Sequence, residues 1–364
     1  MTLNPGLEGI NVAKTKLSLV DGQNGRLVYN GFWAKELALN KKFEEVMYLH
    51  LYGKIPDSME LEEFEEKLRR ARSLPEYLKK VIITLPKEID YMSFLRTAIS
   101  SIKLSTDTWP PNKEQAIEVL AKIPTLITYR YNFVNNKNCI EPDNALSHTE
   151  NYLYMLHNRK PTEAHAKALD AYLILTSEHG MNASTFTSRV ITSTQSDIIS
   201  AIVGAIGALK GPLHGGAPSE VDDMLENIGT KDNVEPWLRS KLNNGDRLMG
   251  FGHRVYKTYD PRAEALKIIT SKFSSNDPLF ELGLYVEKKA LEPLEEYKPG
   301  RKLYTNVEFY AAAVLRAVGL PKELYTPTFA LSRTAGWTAN ILEQANDNRL
   351  IRPSTIYVGE IPEA

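Results

Sequence analysis

Apolar residues recur at spacings of three and four along most of the chain, which predicts an almost wholly helical protein. In SMELEEFEEKLRRAR (58–72), Leu61, Phe64 and Leu68 share one helix face, and charged residues occupy the rest. Pro124 lies inside another such segment and is expected to kink or split that helix. Further helices are predicted near 91–104, 113–134, 144–157, 162–177, 195–209, 217–228, 233–243, 262–273, 277–292, 306–318 and 327–346.

Only the beginning of the chain departs from this pattern. Residues 9–31 alternate Val, Leu, Ser and Thr around DGQNG (21–25), which is typical of extended segments joined by a tight turn. No series of strands alternates with the helices and no repeat is visible, so a parallel-sheet nucleotide-binding fold is not expected. The predicted fold class is all-α, with a short β hairpin at the N-terminus.

The most apolar stretch is IISAIVGAIGAL (198–209). It is much shorter than the roughly 20 residues that span a bilayer. A helix that is apolar all round must be buried on all sides, and its glycines and alanines allow a second helix to come close. A central core helix and a subunit interface both fit this pattern, and the sequence does not decide between them.

Two stretches rich in glycine and proline, 210–218 and 318–327, are candidate hinges. If both are hinges, residues 215–319 form a smaller mobile domain. It would be inserted into a larger, discontinuous domain made of 1–214 and 320–364. His214 then lies at a hinge and faces a cleft, where closure can exclude water.

Composition narrows the class of protein. The chain has 364 residues and a net charge of −1, so neither nucleic acid nor an anionic membrane is favoured as a partner. Cys139 is the only cysteine, which excludes an internal disulfide and a cysteine-based metal cluster. The first residues lack a basic segment followed by an apolar one, so no signal peptide is expected. A cytoplasmic enzyme is the expectation.

Four stretches combine histidine, arginine or a carboxylate with residues that turn the backbone: SEHGMNAST (177–185), GPLHGGAP (211–218), GFGHRVYKTYDPRA (250–263) and YTNVEFYAAA (304–313). They hold His179, His214 and His253. These histidines lack the H-E-x-x-H or comparable spacing of a metal site, so no metal is predicted. The remaining histidines are interpreted as surface or packing residues: His50, His148, His157 and His165.

Imidazoles in separate turns are suited to donating hydrogen bonds or protons to carbonyl oxygens near neutral pH. Glu308 adds a possible base. One arginine alone is usually part of a surface ion pair, but several beside histidines favour a small di- or tricarboxylate as substrate. The candidate arginines are Arg254, Arg262, Arg333 and Arg352.

With these residues the chain resembles the citrate synthase family over essentially its whole length. GFGHRVYKTYDPRA is the most specific motif, and GPLHGGAP, EHGMNAST, ALSRTAGW (330–337) and IRPSTIYVG (351–359) follow the family's order. The resemblance implies an enzyme of the tricarboxylic acid cycle that is an all-helical homodimer. Each subunit would have a large domain and a smaller, mobile domain. It implies condensation of acetyl-CoA with oxaloacetate and hydrolysis to citrate and free CoA. Acetyl-CoA would be a co-substrate, with no metal and no permanently bound cofactor.

The resemblance also implies roles for individual residues. His214 would hydrogen-bond the acetyl carbonyl while Glu308 removes a methyl proton, giving an enol or enolate stabilised by the donor. The glycines around His214 would let the thioester and neighbouring backbone approach. His253 would donate to the oxaloacetate carbonyl. Oxaloacetate would further be held by His179, Asn182, Arg262, Arg333 and, from the partner subunit, Arg352; coenzyme A would contact Lys257 and Lys302.

One position departs from the family. The usual base is the aspartate of N-V-D-F-Y-S-G, whereas this chain reads NVEFYAA from Asn306 to Ala312. The extra methylene of Glu308 moves the carboxylate by roughly 1 Å, which can cost about 10²-fold in rate. Either the backbone has withdrawn, helped by the two alanines, or the enzyme is slower.

Two other functions compete with this interpretation. A 2-methylcitrate synthase runs the same chemistry on propionyl-CoA, and one methylene of difference is worth only about 1–3 kcal/mol of discrimination. A non-catalytic helical dimer that senses CoA or a carboxylate is the alternative of another class. The departure at Glu308 favours it, and the retained histidines and arginines oppose it.

Overall fold

The protein is built from 16 α-helices and one small sheet, in a computed structural model that describes residues 3–215, 218–253, 255–272 and 277–362. The helices are α1 (Ala34–Asn40), α2 (Phe43–Tyr52), α3 (Ser58–Ala71), α4 (Glu76–Thr84), α5 (Tyr91–Ser100), α6 (Lys113–Val134), α7 (His148–His157), α8 (Glu163–Ser177), α9 (Ala183–Ser193), α10 (Ile198–Lys210), α11 (Pro218–Ile228), α12 (Val234–Asn243), α13 (Pro261–Thr270), α14 (Pro278–Tyr297), α15 (Val307–Ala317) and α16 (Tyr325–Asn346).

The predicted hairpin is confirmed. Strand β1 (Ser18–Asp21) pairs with β2 (Arg26–Tyr29) in antiparallel register, with Asp21 opposite Arg26. The turn therefore occupies residues 22–25, inside DGQNG. A third strand, β3 (Phe32–Trp33), pairs with β2 and was not predicted, because two residues are too few to show alternation.

All twelve predicted helical segments contain an α-helix, but four helices were missed: α1, α2, α4 and α9. In α2 almost every side chain is buried, so no polar face marks the helical period. In α9 the buried side is polar and includes Ser184, Ser188 and Arg189. Since the apolar pattern is reversed there, periodicity could not reveal the helix.

Pro124 does not split its helix. Helix α6 runs without a break from Lys113 to Val134 with Pro124 inside it. A proline removes one backbone hydrogen bond, but this helix is buried along most of its length, and packing outweighs that loss. The Thr128 hydroxyl donates to the Pro124 carbonyl at 2.9 Å. Of the predicted kink or split, the split was wrong, and the kink stays a prediction.

Helix α16 lies at the centre of the larger body, where it packs against α2, α6, α8, α9 and α10. Helices α11 to α15 contact one another: α13 and α11 pack on α15, and α12 and α11 pack on α14. This group meets the larger body where α13 touches α1 and α8, and α15 touches α8. The grouping resembles the predicted insertion of 215–319, whose mobility stays a prediction.

Helix α10 is buried on one face only. Ile198, Ala201 and Ile202 are among its buried residues, whereas Val203 and Gly207 belong to the half-exposed opposite face. The expectation of burial on all sides is not met within one chain, so the choice between core helix and subunit interface stays open. In the described stretches 3–215, 218–253, 255–272 and 277–362, no helix is both long and apolar enough to span a membrane.

Candidate active site

Three aromatic rings meet where the turn after α8 faces the loop before α13. The rings of His179 and His253 lie edge to face with their centroids 5.4 Å apart. Tyr256 contacts both rings, with centroid distances of 5.6 Å and 4.8 Å. Its hydroxyl lies 3.2 Å from His179 Nε2. Burial, then the charge of Arg262, holds the pKa of His179 well below its ordinary value, so this imidazole is neutral at physiological pH.

The proton of His253 is located by backbone groups. The N–H groups of Val255 and Tyr256 donate to His253 Nδ1 at 3.0 Å and 3.1 Å. Backbone N–H groups can only donate, so Nδ1 is unprotonated and Nε2 carries the hydrogen. Arg262 Nη2 also can only donate, and it lies 3.2 Å from Nε2. Because two backbone donors face Nδ1 and the neutral ring has one hydrogen, that hydrogen is assigned to Nε2, and both groups can donate to one incoming oxygen. Burial, followed by Arg262, lowers the pKa of His253 to about 4.

Asp260 holds Arg262 and joins two helices. Its carboxylate caps α13 by accepting from Arg262 N–H at 3.0 Å, and it also accepts from Arg262 Nε at 3.0 Å and Nη2 at 2.8 Å. The N–H of Val307, at the start of α15, donates to the same carboxylate at 3.0 Å. Burial alone would raise the pKa of Asp260, but Arg262 outweighs it and the pKa is lowered. One buried carboxylate therefore positions Arg262 and the helix of Glu308.

Arg333 lies in α16 with its guanidinium buried. Its Nε donates to the Thr176 carbonyl at 2.6 Å, and its Cζ lies 4.7 Å from the centre of the Phe329 ring. Burial lowers the pKa of Arg333 to about 10, opposed by the charge of Glu178, so the group stays charged at neutral pH. No acceptor in the described part of the chain binds its two Nη groups. They suit a carboxylate from outside.

His214 is held by the first turn of α9. Ser184 N–H lies 3.3 Å from His214 Nε2 and the Ser184 hydroxyl lies 2.8 Å from it. Since the N–H can only donate, Nε2 is the acceptor and Nδ1 carries the hydrogen. Trp337 Nε1 donates to the same hydroxyl at 3.0 Å. Burial, then the charge of Arg333, lowers the pKa of His214 to about 4, so it is a neutral donor at physiological pH.

The glycine beside His214 is required by the backbone. A Cβ on Gly215 would overlap the Leu209 carbonyl at the end of α10, so only glycine fits. This explains part of the glycine-rich run by close approach of the neighbouring chain. Gly216, the other glycine expected to serve that purpose, lies outside the described residues.

Glu308 stands at the start of α15. Asn306 caps this helix by accepting from Glu308 N–H at 3.0 Å, and its Nδ2 donates to the Gly252 carbonyl at 3.0 Å. Burial raises the pKa of Glu308 to about 7, with Arg262 opposing and Glu220 reinforcing the shift. A half-buried carboxyl with a pKa near neutrality is well suited to general-base catalysis. Ala311 and Ala312, which follow Glu308 in the same helix, are each 1% exposed.

The structure brings six of the predicted site residues together. Arg262 acts electrostatically on His179, His253 and Glu308, and Arg333 acts on His179 and His214. Lys257 is exposed, and its charge also lowers the pKa of His253. Three predicted residues lie outside this set. Asn182 caps α9, accepting from Thr185 N–H at 3.1 Å, and Lys302 and Arg352 are exposed. Arg254 lies outside the described residues.

Sequence reasoning overlooked several supporting residues. Asp260 was noted only as a motif position, although an aspartate directly before Pro261 is a helix-start signal that could have marked it as a cap. Tyr256 and Ser184 carried no signal, because their roles depend on distant elements. Of the histidines assigned to surface or packing, His50 and His148 are buried, and burial lowers the pKa of each to about 3.

Known proteins are similar to this chain over nearly its whole length. Residues 6–354 match the family model described as citrate synthase, C-terminal domain. A citrate synthase of Synechocystis is 39% identical over 363 residues, which cover 98% of this chain and 90% of that protein. A 2-methylcitrate synthase of Shewanella oneidensis is 36% identical, with 98% and 95% covered.

A solved structure is also similar along the whole chain. It is the ternary complex of carboxymethyl coenzyme A and oxaloacetate with citrate synthase from the archaeon Thermoplasma acidophilum. Its sequence is 34% identical, the TM-score is 0.91, and the match covers 100% of this chain and 98% of that one. The likeness therefore extends over the elements that carry all six clustered residues.

Proposed function

The chain belongs to the citrate synthase family and is an acyltransferase that condenses acetyl-CoA with oxaloacetate, and we propose that the six clustered side chains carry out this reaction. The observation that supports this most directly is the pair of imidazoles whose protons are located by backbone N–H groups. Each is neutral, and each keeps one N–H to donate to a carbonyl oxygen.

Oxaloacetate is bound by the positive and donor groups around His253. Arg262 and Arg333 pair with its two carboxylates, and His179 adds a neutral hydrogen bond. The Nε2–H of His253 and the nearby Arg262 Nη2, 3.2 Å apart, donate to the carbonyl oxygen. These donors withdraw electron density from the carbonyl carbon and make it electrophilic.

Carbon–carbon bond formation requires a nucleophile made from acetyl-CoA. Glu308, ionised, removes a proton from the acetyl methyl group while the Nδ1–H of His214 donates to the thioester oxygen. The enol or enolate carbon attacks the carbonyl carbon of oxaloacetate, and His253 stabilises the negative charge on its oxygen. Water then cleaves the thioester, releasing citrate and CoA. A neutral His214 is the appropriate donor, since its pKa of about 4 keeps it uncharged.

The coenzyme A site and the assembly are coarser proposals. The Thermoplasma relative was solved with a coenzyme A derivative, which supports acetyl-CoA as co-substrate here, with Lys257 and Lys302 near its phosphates. The half-exposed apolar face of α10 supports a homodimer. Exposed Arg352 lies on the C-terminal segment and would reach the partner's site, while Asn182 is kept as a proposed substrate residue. The single Cys139 supports a cytoplasmic location.

The test is CoA release, followed as free thiol with oxaloacetate and either acetyl-CoA or propionyl-CoA. We expect the acetyl thioester to react faster, by about 10- to 200-fold if one pocket excludes the extra methylene. The 36% identity to a 2-methylcitrate synthase keeps propionyl-CoA as the second candidate. A faster reaction with propionyl-CoA would establish that alternative. If neither thioester released thiol, the non-catalytic helical dimer that senses CoA or a carboxylate would be the remaining interpretation.

A further inference from the structure

We propose that the turn of the N-terminal hairpin, residues 22–25, is a positioning element for the loop that carries His253. This loop, the His253 loop, comprises 250–253 and 255–260. The inference rests on the proposed role of His253 in binding oxaloacetate. It concerns residues other than the six clustered side chains.

The hairpin turn docks directly on the His253 loop. The N–H of Lys257 donates to the Gly22 carbonyl at 2.8 Å. A Cβ on Gly22 would overlap the Val255 carbonyl and lie 2.8 Å from Val255 Cγ1. A Cβ on Gly25 would lie 2.8 Å from the Tyr259 carbonyl. Both glycines therefore allow two backbones to touch, and no larger residue fits without displacing one of them.

The hairpin turn contacts the His253 loop beside the backbone N–H groups that orient the His253 ring. Val255 and Tyr256 donate their N–H groups to His253 Nδ1. The turn touches the Val255 carbonyl, which lies between these two donors along the backbone, and binds the Lys257 N–H, which comes directly after them. A shift of the loop would move both donors together. Because these donors decide which ring nitrogen carries the proton, the turn acts on the oxaloacetate carbonyl through the tautomer and direction of His253.

The other end of the hairpin is anchored on the second half of the site. Ser18 donates to Glu178 Oε1 at 3.0 Å, and the Tyr29 hydroxyl donates to the Glu178 carbonyl at 2.7 Å. Glu178 directly precedes His179. The hairpin thus bridges the His179 turn, in the proposed large domain, and the His253 loop, in the proposed small domain. A hinge motion of the small domain would break the turn contact, so the hairpin links domain closure to the alignment of His253.

Two matched pairs of variants test the proposal. Gly22 lies outside the left-handed region, so Gly22→Ala adds only the overlap with Val255, and exposed Gln23→Ala is its control in the same turn. Gly25→Ala adds a clash to a left-handed glycine with φ of +63°. Gly31→Ala is its control, since φ there is +91° on the same sheet and a Cβ meets nothing within 4 Å.

Relieving the overlap needs a displacement of about 1 Å at Gly25 and a larger one at Gly22, because carbon contacts are normal at about 3.5–4.0 Å. We expect Gly22→Ala and Gly25→Ala to lower kcat/KM for oxaloacetate by about 10- to 100-fold. With oxaloacetate bound, amide hydrogen exchange across 255–260 should be at least about tenfold faster in these two variants than in the parent protein. The ¹³C resonance of the bound oxaloacetate carbonyl should move toward its value in free oxaloacetate. Gln23→Ala and Gly31→Ala should match the parent in all three.

The possible results of these measurements distinguish failure of the proposed role of the turn from failure of the proposed function. Unchanged exchange and an unchanged carbonyl resonance in both glycine variants would overturn the proposal. Equal losses of kcat/KM in Gly25→Ala and Gly31→Ala would also overturn the proposal, because the strain of a left-handed alanine alone would then explain both losses. If the parent released no thiol, the proposed function would fail, while the exchange measurement would still decide whether the turn holds the loop. If Gly22→Ala did not fold by circular dichroism, the Gly25 and Gly31 pair would carry the test.

Discussion

The pKa of Glu308 makes the pH dependence of the reaction a direct test of its role as the base. Burial raises that pKa to about 7, while His214 and His253 have pKa values of about 4 and do not titrate nearby. A base works only when ionised, so kcat/KM should rise with pH and level off above about 7. Below that value it should fall roughly tenfold for each pH unit.

Substitutions at Glu308 separate charge from reach. Glu308→Gln keeps the size of the side chain but cannot accept the proton, so oxaloacetate should still bind while proton abstraction is lost. In Glu308→Asp the carboxylate falls short by about 1 Å, and we expect a drop of one to two orders of magnitude. The backbone cannot advance to compensate, because Asn306 holds Glu308 N–H at 3.0 Å and Asp260 holds Val307 N–H at 3.0 Å.

The assay that isolates this step is exchange of the acetyl-CoA methyl protons with deuterated solvent, in the presence of a non-reacting oxaloacetate analogue. Its rate should follow the same pH profile as kcat/KM in the parent and should vanish in Glu308→Gln. Undiminished exchange in Glu308→Gln, or a parent profile that is flat through pH 7, would refute Glu308 as the base. A faster Glu308→Asp enzyme would show that the backbone keeps the usual family position after all.

Three further predictions concern other parts of the molecule. His214→Ala and His253→Ala should each lower kcat far more than they weaken oxaloacetate binding, since both polarise carbonyls mainly in the transition state; near-normal turnover would remove that residue from the mechanism. A Cβ on Gly207 meets nothing within 4 Å of its own chain, so Gly207→Phe should fold but sediment as a monomer. Mixing Arg352→Ala chains with His253→Ala chains should restore some activity in hybrid dimers. A fully active monomer would contradict the proposed dimer. Burial, then Glu44, raises the pKa of Asp170 above its ordinary value of 3.8, so its contribution to stability is complete below about pH 4 and is lost as the pH rises toward the raised pKa. Asp170→Asn should reduce the fall of the urea unfolding midpoint with rising pH over this range. An equal slope in the parent and the variant would refute the role of Asp170.

The pattern of apolar residues was sufficient for the helical fold and most helix positions. It succeeded where one face is apolar and the other charged, as with Phe64 and Leu68 in α3, both buried as predicted. It failed where burial does not follow polarity. The buried Ser188 and Arg189 of α9 are polar, and Arg189 donates to Asn340 of α16 at 2.8 Å. A partner far away in sequence stabilises such a helix, so no local pattern reveals it.

The chemistry of the site divides in the same way. By itself the sequence determined which residue types are present, their motifs and the family, and these made His179, His214, His253, Arg262 and Glu308 the candidate site residues. Only the tertiary structure decided their state. The ring protons are located by backbone N–H groups, of α9 for His214 and of its own loop for His253, and the pKa of Glu308 depends on burial and on Arg262. Protonation follows from distance and solvent exclusion, which exist only after the chain has folded.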